Sequence, residues 1–368
     1  MKKKPIDYPV LFITVLLVAI GLIMVFSASY YFNMIKKGDG LYLFKRQSMW
    51  AVLGFVCLTI TSNIYYKRLE KLATPLVVLS IGLLGAVLIA GANINNATRW
   101  FYIGRVSIQP AEIAKFSLVI FLARYLSFFK DDIKSFTKGV LPNLIVMGIM
   151  FVLILLQPNF STAGCLAIIT FIMLFVGGAK IWQLIGLVGS GAIGAVILVM
   201  KASYRMKRFT TFLDPWADPT GDGYQVIHSL YALASGGIFG KGFAKSHEKH
   251  MFMPYPETDF IFAVIGEEWG LVGATVLIIL FCILIWRGIR IAITAQDDFG
   301  TLLATGIVSI IAVQAIINIA VVTSSMPATG LPLPFISAGG TSLAVLLSAV
   351  GVLLNISKYC KTSKPKKK

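Results

Sequence analysis

The chain has 368 residues, 57% of them hydrophobic and only 13% charged, with a mean hydropathy of +0.82 and a net charge of +17. A soluble domain carries about 25% charged residues, so this composition excludes an ordinary soluble globular protein and points to a polytopic membrane protein. The basic charge does not point to nucleic acid. Many lysines and arginines sit in short loops and tails flanking apolar runs, the pattern of positive-inside topology with anionic lipid nearby.

The chain starts Met1-Lys-Lys-Lys and enters an apolar run from Pro9 to about Phe32. That run is longer than the roughly 7–15 residues of a signal-peptide core, so a retained first span is expected. Ten stretches approach the roughly 20 apolar residues a membrane helix needs: about 9–32, 49–66, 74–93, 108–128, 139–157, 162–178, 182–200, 260–286, 300–324 and 340–357. The expected fold is therefore an all-α polytopic membrane protein of about ten transmembrane helices, a single integral domain over 1–368. An even number of spans puts both termini on one side. Both tails are lysine-rich, which assigns that side to the cytoplasm. Lys36, Lys37, Lys45 and Arg46 then fall outside and are a mild misfit. A large extracytoplasmic loop, about 201–258, separates spans 7 and 8. Its prolines and glycines predict short helices and turns packed on the bundle.

Cys57, Cys165, Cys282 and Cys360 show no pairing or ligand spacing and read as reduced. His247 and His250 form an HxxH interrupted by Lys249, a weak metal signal, and no metal site is assigned.

Charged residues inside apolar runs carry the functional signal. Asp259 stands where the polar loop meets an apolar run, and Glu267 and Glu268 lie deeper in that run. Glu112 and Lys115 lie three residues apart in the fourth span, on one helix face in the favourable order. They read either as a structural ion pair or as a pair lining a substrate cavity. The loop holds Arg205, Lys207, Arg208, Lys241, Lys245 and Lys249, with Gly236-Gly-Ile-Phe-Gly240-Lys241-Gly242 among them. This is not a Walker A loop, because the glycine spacing is one short and no Ser or Thr follows the lysine. It reads as a solvated loop or as backbone N–H groups offered to a diphosphate. Met326 to Thr341 carries no charge but three prolines and three glycines, including Pro332 and Pro334. Prolines donate no hydrogen bond, so a re-entrant segment that builds a site between spans 9 and 10 is expected.

Phe212-Leu-Asp-Pro-Trp-Ala-Asp-Pro219, Gly223-Tyr-Gln225, Ser235-Gly-Gly-Ile-Phe-Gly-Lys-Gly242, Thr258-Asp-Phe-Ile-Phe-Ala-Val-Ile-Gly-Glu-Glu268 and Thr329-Gly-Leu-Pro-Leu-Pro-Phe335 resemble the SEDS (FtsW/RodA/SpoVE) family of shape, elongation, division and sporulation proteins. Arg99-Trp100 and Ser107-Ile-Gln109-Pro-Ala-Glu112 with Lys115 match as well. The Asp-Pro-Trp-Ala-Asp-Pro form is closer to the division and sporulation branch. Glu257, where the family often has His, departs from the pattern, as do Asn159, Ser161 and Ala338. The resemblance implies a peptidoglycan glycosyltransferase in the bacterial cytoplasmic membrane. It would polymerise lipid II at the outer face, with a class B penicillin-binding protein as partner. Asp259 would be the base. Glu112, Lys115, Arg99, Gln109, Arg205, Lys241 and Lys245 would contact substrate, with Glu267, Glu268, Pro332 and Pro334 shaping the cavity and a divalent cation (Mg or Mn) at the diphosphate as a candidate cofactor. A lipid II flippase and a non-catalytic divisome scaffold are the alternatives. A scaffold has no use for intramembrane carboxylates.

Overall fold

The computed structural model describes residues 4–94, 97–104, 106–201, 203–250 and 252–361. Helix α1 (Tyr8–Lys37) starts where the Asp7 side chain accepts from Val10 N at 3.2 Å. It ends at Gly38, whose φ of 68° reverses the chain. Helices α2 (Tyr42–Asn63), α3 (Arg68–Ala90), α4 (Pro110–Phe128), α5 (Leu141–Leu156), α6 (Phe160–Val176) and α7 (Ile181–Met200) follow, with a π turn over Phe136–Val140 leading into α5. The 203–256 region holds α8 (Ser203–Leu213), a 3₁₀ turn at Pro215–Ala217 and α9 (Tyr224–Gly236). Then come α10 (Ile261–Thr294), α11 (Asp298–Val322) and α12 (Gly340–Ser357).

Among the described residues, seven helical units are long and apolar enough to cross a membrane: α1, α3, the π turn with α5, α7, α10, α11 and α12. Helix α6 is a shorter apolar helix. Helices α2 and α4 carry more polar residues, including Lys45, Arg46 and Gln47 in α2 and Glu112, Lys115 and Arg124 in α4. Helix α2 buries one face along α12, and α4 packs between α3 and α11. Helix ends overrun the apolar stretches. Backbone hydrogen bonding continues past the last apolar residue, as at Lys36 and Lys37 of α1, whose charges face the helix C-terminus favourably.

The helical membrane fold is as expected, with one addition: Ala92–Ile94, Ala97–Ile103 and Val106–Ile108 form a small antiparallel sheet, β1-β2-β3, between α3 and α4. Three short strands leave no periodicity long enough to read beside an apolar run of about 20 residues.

The bundle is organised around α11 and α12, each with 72% of its apolar window buried; α7, at 6%, stands at the periphery. Between α11 and α12 the chain from 326 to 339 forms no regular helix, yet Leu331, Leu333, Phe335 and Ile336 are buried. This segment reaches the middle of the 30-residue α1, where a methyl on Gly21 would lie 2.4 Å from Phe335 O. Non-helical backbone at such depth must have its polar groups satisfied. Gln47 in α2 donates to Ser337 O (3.2 Å) and accepts from Gly339 N (3.2 Å). Asn318 in α11 donates to Leu331 O (2.8 Å), and Ser161 in α6 donates to Thr329 O (2.5 Å).

Candidate active site

Helix α10, which starts at Ile261, is broken about two and a half turns further on. Gly270 takes φ 68° and ψ −167°, a backbone conformation essentially reserved for glycine. The break opens the helical ladder, and the glycine-rich loop after α9 fills it. Lys241 N and Gly242 N donate to Glu267 O (2.9 Å) and Glu268 O (3.0 Å), while Leu271 N and Val272 N donate to Gly237 O (2.9 Å) and Ile238 O (3.1 Å). Approach is so close that a methyl on Gly240 would stand 2.2 Å from Glu268 O. The glycines therefore bring two backbones together. The N–H groups of Gly240, Lys241 and Gly242 all bond inside the protein and are not offered to a diphosphate, while the Ile238 and Phe239 side chains stay exposed.

Glu267 and Glu268 anchor this seam. Buried Glu267 accepts from Lys241 Nζ (2.7 Å), Ser246 Oγ (2.5 Å) and His247 N (2.9 Å). Buried Glu268 accepts from Lys249 Nζ (2.6 Å), from Ser27 Oγ of α1 (2.7 Å) and from Ala244 N (3.1 Å). Each buried carboxylate is thus paired and hydrogen-bonded, the condition under which burial is tolerated. Lys241, expected at substrate, is committed to Glu267, and Lys245 is exposed beside this seam.

The seam fixes the start of α10 and with it Asp259. Thr258 Oγ1 donates to Asp259 Oδ1 at 2.8 Å, and Asn318 Nδ2 holds Asp259 O at 2.8 Å. Ser337 Oγ donates to Thr258 O (2.5 Å) and Ala338 N to Glu257 O (2.8 Å), so the 257–259 segment is stapled to the 326–339 loop. Asp259 is half-buried, and Gly330 lies against its free edge: a methyl there would sit 3.7 Å from Oδ2. Desolvation raises the Asp259 pKa above its ordinary value, against the opposing pull of the Thr258 hydroxyl and the Arg208 charge. Burial also raises Glu257, and the neighbouring Asp259 charge adds to that shift; Glu257 Oε2 is buried without a hydrogen-bond partner.

Two cavities border segments tied to this carboxylate, and Asp259 itself lines neither. An apolar groove of about 600 Å³ runs between α5, α6 and α7, lined by residues such as Met147, Phe160, Phe171, Gly191 and Leu198. Its wall reaches Asp259 in a few steps. Phe160 lines the groove, the next residue Ser161 bonds Thr329, and Gly330 adjoins Asp259. Arg205 stands at the groove end, its guanidinium 5.2 Å from the Phe160 ring and donating to Leu198 O at 2.9 Å. One helical turn on, Arg208 donates to Ala328 O (3.0 Å) and lines a polar cavity of about 300 Å³ on the far side of α8.

Glu112 and Lys115 form a buried ion pair at 2.8 Å in the first turns of α4. The α4 N-terminus touches the 326–341 loop end through Gln109 N to Thr341 Oγ1 (3.3 Å). The pair thus lies below the same loop that carries Gly330. Replacing Lys115 by Met strands the Glu112 carboxylate, at a cost of about 3–5 kcal/mol. Thermal melting of the purified protein is expected to show that loss, and the Glu112→Gln/Lys115→Met double variant is expected to recover most of it.

Arg99 is placed elsewhere. From β2 it donates to Gln157 O (3.0 Å) and Pro158 O, tying the sheet to the end of α5. Pro332 is partly buried and Pro334 buried within the 326–339 loop. Sequence reasoning passed over Arg208 as one loop cation among several, although its i+3 spacing from Arg205 was legible. Asn318 and Gly330 offered no signal. Among the described residues no cluster of three or more His, Cys, Asp or Glu forms a metal cage. His247 stacks on Phe252, and His250 meets Tyr31 edge-on.

Fold and site define a polytopic membrane protein with a conditioned carboxylate at the start of a broken helix, on a loop tied to the wall of an apolar groove. The profile of the FtsW/RodA/SpoVE cell cycle proteins matches residues 8–362, and the chain belongs to that family. Stage V sporulation protein E of Bacillus subtilis (strain 168) is 43% identical over 360 residues, 97% of this chain and 98% of that one. The protein named "Probable peptidoglycan glycosyltransferase FtsW" of Trichlorobacter lovleyi is 42% identical, covering 95% of this chain and 93% of its own. Among solved structures, a chain from "Structural coordination of polymerization and crosslinking by a peptidoglycan synthase complex" superposes with a TM-score of 0.79 at 30% identity, covering 96% and 98% of the two chains. The rod shape determining protein RodA of Thermus thermophilus gives a TM-score of 0.72 at 28% identity, over 97% and 98%.

Proposed function

We propose that this protein is a peptidoglycan glycosyltransferase that polymerises lipid II, with Asp259 as the base. The observation that carries the reading is Asp259 itself, a half-buried carboxylate of raised pKa beside Gly330, on a loop tied through Ser161 to the wall of an apolar groove. The reaction displaces an anomeric diphosphate by a sugar 4-hydroxyl. It needs a base for the hydroxyl, positive charge for the leaving diphosphate and an apolar channel for the prenyl tail. The groove between α5, α6 and α7 is the channel. Arg205 at the groove end and Arg208 one helical turn on are the cations. A raised Asp259 pKa makes the carboxylate a stronger base than a solvated aspartate. Where a divalent cation accompanies the diphosphate, Asp259 and Glu257 supply the one or two carboxylates such an ion takes alongside phosphate oxygens. Family relatives, including a chain of a peptidoglycan synthase complex, support the reading and suggest a class B penicillin-binding protein as partner.

Glycan polymerisation from labelled lipid II by the purified protein, with and without a candidate partner, tests this. Strands from outward-facing lipid II establish the enzyme. Transfer of lipid II across vesicles without strand formation favours the flippase, and neither activity with partner binding favours the scaffold. Because the base must be ionised, activity is expected to fall on acidification through the raised Asp259 pKa, a limb lying above the ordinary aspartate value of about 3.9.

We also read α2, α4 and α6 as spans, giving ten, with both termini cytoplasmic and the 203–256 region outside. In a cysteine-free background, a membrane-impermeant thiol reagent applied to intact cells is expected to label Lys245→Cys and to spare a cysteine in the C-terminal tail. Labelling of the tail overturns this topology.

A further inference from the structure

The groove between the start of α3 and the end of α4 has no part in the reaction proposed for Asp259. We propose that it holds the headgroup of an anionic phospholipid of the cytoplasmic leaflet. The leaflet rests on the proposed topology; the binding site itself does not.

Six residues line a cavity of about 300 Å³ here: Thr74 of α3, Phe121, Arg124, Tyr125 and Phe128 of α4, and Phe129 just past its end. The four α4 residues fall at i, i+3, i+4 and i+7, which is one helix face. Lys71, Thr74 and Val78 share a face of α3 in the same way. Those faces form the outside of the bundle. Val78 is exposed and Phe128 is 75% exposed, and around a membrane-embedded bundle such apolar surface meets acyl chains.

The aromatic wall is assembled before any ligand arrives. Ring centroids of Phe121 and Tyr125 lie 6.0 Å apart, those of Tyr125 and Phe129 4.6 Å, and those of Phe129 and Phe128 4.9 Å. The Tyr125 hydroxyl donates to Lys138 O at 2.7 Å, which fixes the middle of the wall.

Arg124 gives this wall its charge. Its guanidinium donates to Thr74 Oγ1 at 2.9 Å. That partner is neutral and takes one of five donors. Neighbouring cations are committed elsewhere, Lys67 to Asp297 and Lys130 to Asp298, each at 2.9 Å. Among the described residues no carboxylate forms an ion pair with Arg124 or Lys71. Asp132 acts on Tyr125, and Glu70 on Lys67, both from the loop ends of the helices. An unpaired cation at membrane depth is costly, and snorkelling toward water is the usual relief. Arg124 instead reaches sideways to α3 and stays over the cavity.

Charge and wall together select the occupant. A free phosphate or an acidic peptide matches the guanidinium and leaves the rings without a partner. An acyl chain alone does the reverse. An anionic phospholipid satisfies both, with its phosphate on the planar fork of Arg124 and its chain along Phe121. Lys71, one turn nearer the loop than Thr74, supplies a second cation. Basic pockets between helices on the cytoplasmic side are headgroup sites in general. The volume is at the small end of ligand pockets and fits a headgroup with its glycerol.

Native mass spectrometry of the detergent-solubilised protein, titrated with dioctanoyl phosphatidylglycerol, tests this. One molecule is expected to bind at least about ten-fold more tightly than dioctanoyl phosphatidylcholine. Arg124→Gln is expected to weaken that binding about ten-fold, as for a lost hydrogen bond to a charged group, and Lys71→Gln about three-fold. Thr74→Val separates lipid binding from helix packing: it removes the Arg124 bond but keeps the cation, so binding should persist. Lys134→Gln, in the nearby loop, controls for diffuse positive charge and should leave binding unchanged. Glycerol 3-phosphate at matched concentration should not compete. Equal binding of the two lipids, wild-type binding by Arg124→Gln, or equal losses in Arg124→Gln and Lys134→Gln overturns the site. Competition by glycerol 3-phosphate makes the ligand a free phosphoester and overturns the lipid assignment. No arm depends on turnover, so failure of the polymerisation assay leaves this result standing, and the reverse holds as well.

Discussion

Asp259→Asn is expected to lower lipid II polymerisation by about 10²-fold or more while leaving the protein folded and inserted. Asparagine keeps the size of the side chain and accepts the Thr258 hydroxyl bond through its amide oxygen. It also keeps the backbone carbonyl held by Asn318. What it loses is the capacity to take a proton. Stability should move the other way. Protein surroundings raise the Asp259 pKa, so the folded state binds this proton more tightly than the unfolded chain. Wild-type stability therefore falls as pH rises through the window between the two pKa values, and above it the ionised carboxylate carries a desolvation cost that the amide lacks. At neutral pH the variant is expected to melt no lower than wild type, and below the window any difference should disappear. Glu268→Gln is the comparison. It removes the partner of buried Lys249, so it should lose stability and activity together. Near wild-type polymerisation by purified Asp259→Asn protein removes Asp259 as the base.

Gly270→Ala is expected to prevent accumulation of folded protein. Two effects act at one atom. The backbone there has φ 68° and ψ −167°, a region closed to residues with a Cβ. The added methyl would lie 2.3 Å from Gly240 N and 2.5 Å from Ile238 O, both backbone atoms that cannot turn aside. Strain and overpacking together cost about 3 kcal/mol or more, against a total stability of about 5–15 kcal/mol for an ordinary fold. Relieving the clash means withdrawing the glycine loop from the helix break, which unpairs Glu267 O, Glu268 O, Leu271 N and Val272 N at once. Gly85→Ala is the control, since the Cβ built at that helical position meets nothing within 4 Å. Membrane-fraction abundance and detergent-solubilised melting separate the two. Equal abundance and melting for Gly270→Ala and Gly85→Ala would show that the α10 break is not rigid.

The membrane spans were readable because each apolar run is long and the bilayer leaves the backbone no alternative to a helix. The boundaries were less readable, since helices such as α1 continue into polar residues that membrane-length counting excludes. Asp259, Glu112 and Lys115 were also legible, as charges in or beside apolar runs that need a reason. Their family motif gave them roles. The small sheet escaped because three strands of 3, 7 and 3 residues carry no extended alternation.

The glycine motif was visible but its meaning was not. From sequence, glycines beside lysines fit a phosphate loop as well as they fit a close backbone contact. Only the fold shows that Gly237 and Gly240 fill the gap at Gly270, some thirty positions further along the chain. Lys241 and Arg99 were chosen as substrate cations by charge and motif, yet the structure gives Lys241 to Glu267 and Arg99 to the carbonyls ending α5. Arg208, passed over, reaches the site.

By itself the sequence determined that the chain lives in a membrane, which segments are helices within it, and which buried charges demand partners. Those properties follow from composition over short windows, where hydrophobic and backbone hydrogen-bonding terms act locally. The tertiary structure alone decided which cation meets which carboxylate, where α10 breaks, and that Asp259 faces Gly330. Such pairings join residues from α1, α6, α8, α10 and α11 that are far apart in the chain, and a charge carries no mark of the partner that packing will bring to it.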